Sequence, residues 1–134
     1  MLEKLIYWVE NRPRFKEKVD LSKMKTIAAS IKNPQNNFKS IHITGTNGKG
    51  STAHFLHSIL SKKYKVGLFT SPYIIKFNER LQINDMMIAD EVLERYLSNM
   101  KSFIETYERK TDESFTFFEI MTLLAFQYFS DENV

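Results

Sequence analysis

Cysteine is absent from this chain, which removes disulfide frameworks and thiolate metal sites from consideration. That absence suits the cytosol, which is the expected compartment. No stretch approaches the roughly 20 apolar residues of a membrane-spanning helix. The opening Met1-Leu2-Glu3-Lys4 carries an acid where a secretory signal would begin its apolar run, so no membrane association is expected. Proline occurs three times and glycine only four times. Where those few residues fall therefore carries information.

What is present describes one folded unit. The length, 134 residues, suits a single domain (1–134), and 43% hydrophobic against 26% charged residues excludes a disordered chain. With 11 Phe, 6 Tyr and 6 Met, the core is expected to be rich in aromatic and adaptable side chains. The net charge of +3 is concentrated early: Lys4, Arg12, Arg14, Lys16, Lys18, Lys23, Lys25 and Lys32 face only Glu3, Glu10, Glu17 and Asp20. This is read as a solvated helical surface, with attraction of an anionic ligand as the sharper alternative. Nucleic acid is not an expected partner, because no aromatics alternate with the basic residues in a stacking pattern.

Apolar spacing predicts helices over 2–10 (Leu2, Leu5, Ile6, Val9) and 22–31 (Met24, Ile27, Ala28, Ile31), the second capped by Ser22. Asn33-Pro34-Gln35-Asn36-Asn37 is a loop. Ser40–Thr44 is β-branched and predicts a strand. Residues 51–62 place Phe55, Leu56, Ile59 and Leu60 on one helical face, and Lys65–Thr70 reads as a second strand. A right-handed crossover between these strands would make them parallel. Leu81-Gln82-Ile83 and Met86-Met87-Ile88 flank Asn84-Asp85 as a small hairpin. A long helix over 91–109, with Asp90 as cap, is followed by one over 117–130 that is apolar nearly all round and therefore expected to be buried.

Three of the four glycines lie within six residues, in Thr44-Gly45-Thr46-Asn47-Gly48-Lys49-Gly50-Ser51-Thr52, between the first predicted strand and an amphipathic helix. A triphosphate needs several backbone N–H donors converging on its oxygens. Glycines let the backbone curl that closely, and a helix N-terminus adds unpaired N–H groups and a positive dipole end. Thr46, Asn47, Gly48, Lys49, Gly50 and Ser51 are thus the candidate nucleotide site, with the Lys49 charge for the β and γ phosphates. A hydroxyl of Ser51 or Thr52 is placed for magnesium. The spacing departs from the commonest phosphate loop: Ile43 stands where its leading glycine would fall, and Gly50 where its Ser or Thr would. The plain alternative is a tight turn with a solvated lysine.

That variant resembles the phosphate loop of folylpolyglutamate and dihydrofolate synthases, within the Mur-ligase-like group. Three further segments agree in order: Met24-Lys25 through Asn33-Pro34-Gln35, Ser71-Pro72-Tyr73 with Phe77-Asn78-Glu79-Arg80, and Phe115-Thr116-Phe117-Phe118-Glu119. The resemblance implies an α/β fold: a phosphate-loop parallel sheet flanked by helices, here the incomplete N-terminal part of the ATP-binding domain. It implies an ATP- and magnesium-dependent ligase in which a folate carboxylate is phosphorylated and glutamate then displaces phosphate, with Lys49 as the catalytic charge. Beside Ser51, it also implies Ser71 and Glu119 as metal ligands, a Ser71 loop that borders the folate and ATP sites, and contact between Phe117 or Phe118 and a pterin ring. Family chains continue into a further strand and a second domain. The fragment is therefore expected to have little activity alone and to expose an edge open to association.

Several residues keep two readings. Ser71-Pro72 is by itself an ordinary turn. Thr116 through Glu119 also fits a capping box, with Thr116 as N-cap and Glu119 returning to its amide. Glu79 and Arg80 are expected to pair with loop groups rather than to perform chemistry. His54 and His57 have a spacing that suits a metal, but a pair alone is weak, and one is expected exposed and one packed. His42 is expected on the opposite sheet face from Ile41 and Ile43. Two other functions stand beside the folate ligase: a non-catalytic nucleotide-binding module, and a Mur-like amide ligase for a different acid.

Overall fold

Helical periodicity is realised almost where the apolar spacing places it. A computed structural model describes residues 1–16 and 20–134; Glu17 and Lys18 of the basic stretch lie outside the described residues. The order is α1 (Leu2–Glu10), α2 (Leu21–Ser30), a 3-10 turn at Pro34–Asn37, α3 (Lys49–Leu60), β1 (Gly67–Phe69), a 3-10 turn at Phe77–Arg80, β2 (Leu81–Ile83), β3 (Met86–Met87), α4 (Asp90–Thr111) and α5 (Phe117–Asp131).

α5 is the centre of the core. It buries Phe117, Ile120, Met121, Leu123, Leu124, Ala125, Tyr128 and Phe129, consistent with its nearly all-round apolar sequence. α4 contributes one stripe (Leu93, Tyr96, Leu97, Met100, Ile104) and α1 adds Leu5 and Val9 to the same cluster. β1 lies close to α5 because residue 67 has no side chain: a Cβ there would fall 2.7 Å from the Phe129 ring. No helix among the described residues is long and apolar enough to cross a membrane.

Helix starts differ from expectation at two places. α2 is capped by Asp20, whose carboxylate accepts the Ser22 N–H at 2.8 Å, while the Ser22 hydroxyl donates back to it at 2.7 Å. The carboxylate two residues earlier takes the orphan amide, so Ser22 sits inside the first turn. α4 begins at Asp90 with Ala89 as its N-cap residue. The Asp90 carboxylate instead receives Asn78 Nδ2 at 2.9 Å and Lys76 Nζ at 2.7 Å.

The sheet is antiparallel, in the order β1-β2-β3, with Phe69 opposite Leu81 and Ile83 opposite Met86. The hairpin at 84–85 is formed as expected. Asn84 (φ 45°) and Asp85 (φ 66°) both take the left-handed conformation of a two-residue type I′ turn. Ser40–Thr44, expected as a strand parallel to β1, forms no strand, and its residues are exposed or half-exposed. β-Branched composition supplies propensity, but a strand exists only where a ladder partner does, and among the described residues β1 pairs with β2 alone. α3 is also turned about its axis relative to expectation. It buries His57 and half-buries Leu56 and Leu60, leaving Phe55 and Ile59 exposed. The Asp85 N–H donates to His57 Nε2 at 3.0 Å, which turns the polar edge of the helix onto the hairpin.

Candidate functional site

Thr44 to Thr52 carries the turn into α3. Gly45 (φ 151°) and Gly48 (φ 78°) hold conformations that strain any residue with a Cβ, and Gly48 is the N-cap. No side chain caps α3. The Thr52 N–H bonds Gly48 O at 2.9 Å and begins the helical ladder, which leaves the amides of Lys49, Gly50 and Ser51 without intrahelical acceptors. All residues from Thr44 to Thr52 are exposed. Lys49 Nζ folds back on the carbonyls of Gly45, in a short contact, and Thr46, at 3.4 Å. Open space surrounds the Cβ positions of all three glycines. The arrangement is an open cup of amides with one ammonium on its rim, suited to a polyphosphate.

A second structure stands at the end of β1. Residues 70–80 leave the sheet and return to it, closed at the neck by Thr70 N–H to Arg80 O (3.1 Å) and by Arg80 Nη1 to Ser71 Oγ (2.9 Å). Inside the loop, the Glu79 carboxylate accepts the N–H groups of Ile74, Ile75 and Lys76 at 2.8, 3.0 and 2.9 Å. Those bonds, the Ile74 and Lys76 amides above all, hold the carboxyl below its usual range. The loop is thereby stiffened around its own acid, and Ile74 and Ile75 are presented at 90% and 88% exposure.

Arg80 is only 3% exposed. Its guanidinium lies 5.0 Å from the Tyr73 ring, 5.3 Å from Phe77 and 4.9 Å from Phe117. Burial presses its pKa down, with the Glu10 charge opposing and Arg14 adding to the shift. Phe117 has Arg14 as well, 4.4 Å from its centroid. Phe118, by contrast, is 60% exposed and stacks on Phe69 at 6.1 Å with the rings 12° apart.

The start of α5 meets Lys16 and Lys23 of the basic N-terminal stretch. Thr116 and Glu119 form the capping box: Glu119 N–H donates to Thr116 Oγ1 at 3.2 Å, and Thr116 N–H donates to Glu119 Oε2 at 2.8 Å. The same Oε2 receives Lys23 Nζ at 3.0 Å and has Lys16 Nζ at 3.3 Å. Burial alone would raise the Glu119 carboxyl, but the Thr116 amide and the two lysines hold it below its usual value. Burial and Lys16 lower Lys23 in turn, against the pull of Glu119. Lys23 also donates to Ser114 O at 2.7 Å and sits 4.2 Å from the Phe115 ring. Among the described residues, no group of three or more His, Cys, Asp or Glu side chains could hold a metal ion.

The 125 residues that match a dihydrofolate synthase/folylpolyglutamate synthase of Bacillus subtilis (strain 168) are 42% identical to it and cover 92% of this chain and 29% of that protein. The fold agrees: the apo form of the L. casei folylpolyglutamate synthase superposes with a TM-score of 0.89 at 32% identity, over 99% of this chain and 33% of that one. The chain belongs to the folylpolyglutamate synthase/dihydrofolate synthase family. A folylpolyglutamate synthase–AMPPCP–folate complex gives the same TM-score of 0.89 over the same 99% and 33%. No family model matches the chain. The chain spans about a third of the length of these relatives, in their N-terminal portion, and is α/β of the Mur-ligase-like kind.

Against that family frame, the structure brings Thr46 to Ser51 together at the α3 N-terminus, and links Ser71 to Phe117 through Arg80. Glu79 and Arg80 pair with loop groups as expected; His57 is packed and His54 exposed. Lys23 and Arg14 escaped the sequence reading, which assigned the early basic residues to a solvated face. The signal available for Lys23 was its position four before Ile27, on the buried stripe of α2.

Proposed function

We propose that this chain is the N-terminal part, residues 1–134, of the ATP-binding domain of a cytoplasmic ligase that joins L-glutamate to a folate derivative. The observation that supports it above others is the open cup at Thr46–Ser51, in a chain whose relatives are folylpolyglutamate synthases, one of them solved with AMPPCP and folate. In this reading the 44–52 turn is a phosphate loop. A folate carboxylate oxygen bonds to the γ-phosphorus of ATP and ADP leaves, giving an acyl phosphate. The glutamate amine then attacks the acyl carbon, phosphate departs, and the amine loses a proton. The chain's contribution is positioning and charge. The amides of residues 49–51 and the ammonium of Lys49, released from the Gly45 carbonyl, hold the β and γ phosphates.

Magnesium would supply further neutralisation of the phosphate charge. Ser51 fits that role, with an exposed hydroxyl in the first turn of α3. Ser71 fits through the face of its hydroxyl not engaged by Arg80. Glu119 fits least well: Oε2 already meets one amide and two ammonium groups, so a cation would have to use Oε1 beside Lys16 and Lys23. Phe118, exposed and stacked on Phe69, is better placed than buried Phe117 to meet a pterin ring.

Calorimetric titration with AMPPCP tests the nucleotide half. Lys49→Ala should weaken binding about 10- to 100-fold, the worth of a charge-assisted contact to phosphate. No binding by the parent chain, or equal binding by the variant, would refute it. Glutamate-dependent amide formation with a panel of folates and other acids, in a chain of the relatives' full length, tests the ligase half.

A further inference from the structure

Arg80 is a buried cation with no ion-pair partner among the described residues, and the loop at 70–80 supplies a reason for it. Its guanidinium is enclosed by Tyr73, Phe77 and Phe117, and among the described residues no carboxylate lies within ion-pair distance of it. Nε has no hydrogen-bond partner among those residues either. Burying an unpaired guanidinium is costly, and an apolar side chain of similar volume would fill the same cage more cheaply. The three rings and the more distant Glu10 charge offset part of that cost, and what the guanidinium adds over an apolar filler is a hydrogen-bond donor. Its one side-chain hydrogen bond among the described residues runs from Nη1 to Ser71 Oγ at 2.9 Å, and Ser71 itself is exposed.

We propose that Arg80 is the positioning residue for the Ser71 hydroxyl. A guanidinium can only donate, so Ser71 Oγ must accept. One lone pair is thereby committed inward, and the hydroxyl hydrogen and the second lone pair are turned toward the open side of the loop. The rings that grip Arg80 come from the loop itself (Tyr73, Phe77) and from the start of α5 (Phe117), so the hydroxyl is set relative to both. The inference rests on the reading of the Ser71 loop as part of the folate site; Arg80 acts through Ser71 and need not touch the ligand.

The test uses the 134-residue chain and two readouts. In nitrogen–proton correlation spectra, Ser71→Ala, a surface change that leaves the cage intact, should shift the Arg80 Nε–H signal, and Arg80→Met should shift the Ser71 amide while the α4 amides stay in place. In titrations with tetrahydrofolate in the presence of AMPPCP, Ser71→Ala and Arg80→Met should each weaken binding about five- to tenfold, the worth of one hydrogen bond. The double variant should be no weaker than either. Arg80→Lys, which keeps the charge and a donor, should recover part of the loss. An unmoved Arg80 signal in Ser71→Ala overturns the proposal, as do additive losses in the double variant. Absence of tetrahydrofolate binding by the parent chain counts against the folate reading instead, and leaves the spectroscopic arm to decide the role of Arg80.

Discussion

Gly67→Ala tests how closely the strand carrying the Ser71 loop lies against α5. A Cβ at residue 67 would sit 2.7 Å from Cδ1 and Cε1 of Phe129 and 2.9 Å from Cγ. Carbon atoms rest at about 3.5–4.0 Å, so the new methyl is short of room by about 1 Å against a ring face. Phe129 cannot simply swing away. It is buried, meets Phe38 edge-on at 6.3 Å, and lies 5.6 Å from Tyr128. Overpacking of this kind costs about 1–3 kcal/mol, offset by about 0.4–1 kcal/mol because alanine orders the unfolded chain. A net loss of roughly 1–2 kcal/mol should lower the melting temperature by roughly 3–10 °C at this chain length. Circular dichroism melts, with urea titrations to confirm an unchanged slope, measure it directly. Phe129→Leu in the same background should be less costly than the two single changes added together. A Gly67→Ala chain that melts at or above the parent would refute the close approach of β1 and α5.

Three further outcomes follow from the packing. Thr116→Ala removes the acceptor for the Glu119 amide and should cost about 1 kcal/mol in urea unfolding. Lys23→Met removes the nearer of the two ammonium groups from Glu119 Oε2, so the Glu119 carboxyl should titrate at higher pH than in the parent when followed by carbon NMR. His57 is held below its usual pKa of 6.5 by burial, against the pull of Asp85, so the unfolded chain takes up the proton first as pH falls. Stability should be full above about pH 7 and decline below 6.5 with a slope of at most about 1.4 kcal/mol per pH unit, and His57→Gln should flatten urea midpoints compared between pH 7.5 and 5.5.

The elements legible in the sequence are those whose causes are local. The Asn84-Asp85 turn declares its own left-handed geometry, and the spacing from Thr116 to Glu119 declares its capping box. The apolar stripes of α1 and α4 and the buried α5 follow from a period that needs no partner to be read. Apart from the cap of α2, what escaped depends on groups distant in the chain. Ser40–Thr44 has strand composition but no ladder among the described residues. Asp20 outcompetes Ser22 as a cap because a carboxylate one position before the helix reaches its orphan amide. Lys23 reads as one more surface lysine until the carbonyl of Ser114 and the carboxylate of Glu119 meet it from more than 90 residues away. The candidate site divides the same way. The glycine turn is visible as a motif, whereas the guanidinium behind Ser71 is visible only once β1 and β2 are paired.

The pairing of β1 with β2 ties the two halves of the candidate site into one piece. With Phe69 opposite Leu81, Thr70 and Arg80 are the next residues outward, so the neck of the 70–80 loop and the Arg80–Ser71 bond are direct consequences of that register. At the other end of the same strands, the Asn84 N–H donates to Val66 O at 3.1 Å and Asn84 Oδ1 accepts the Val66 N–H at 2.8 Å. Asp85 beside it reaches His57 on α3, the helix that carries the glycine turn at its other end. A slip of one residue between β1 and β2 would turn Leu81 out of the core and part Arg80 from Ser71. It would also draw the 84–85 turn away from α3. The short sheet therefore sets the spacing between the amide cup and the Ser71 loop, and this gives a three-stranded sheet of minimal length a role in the site that its area alone would not suggest.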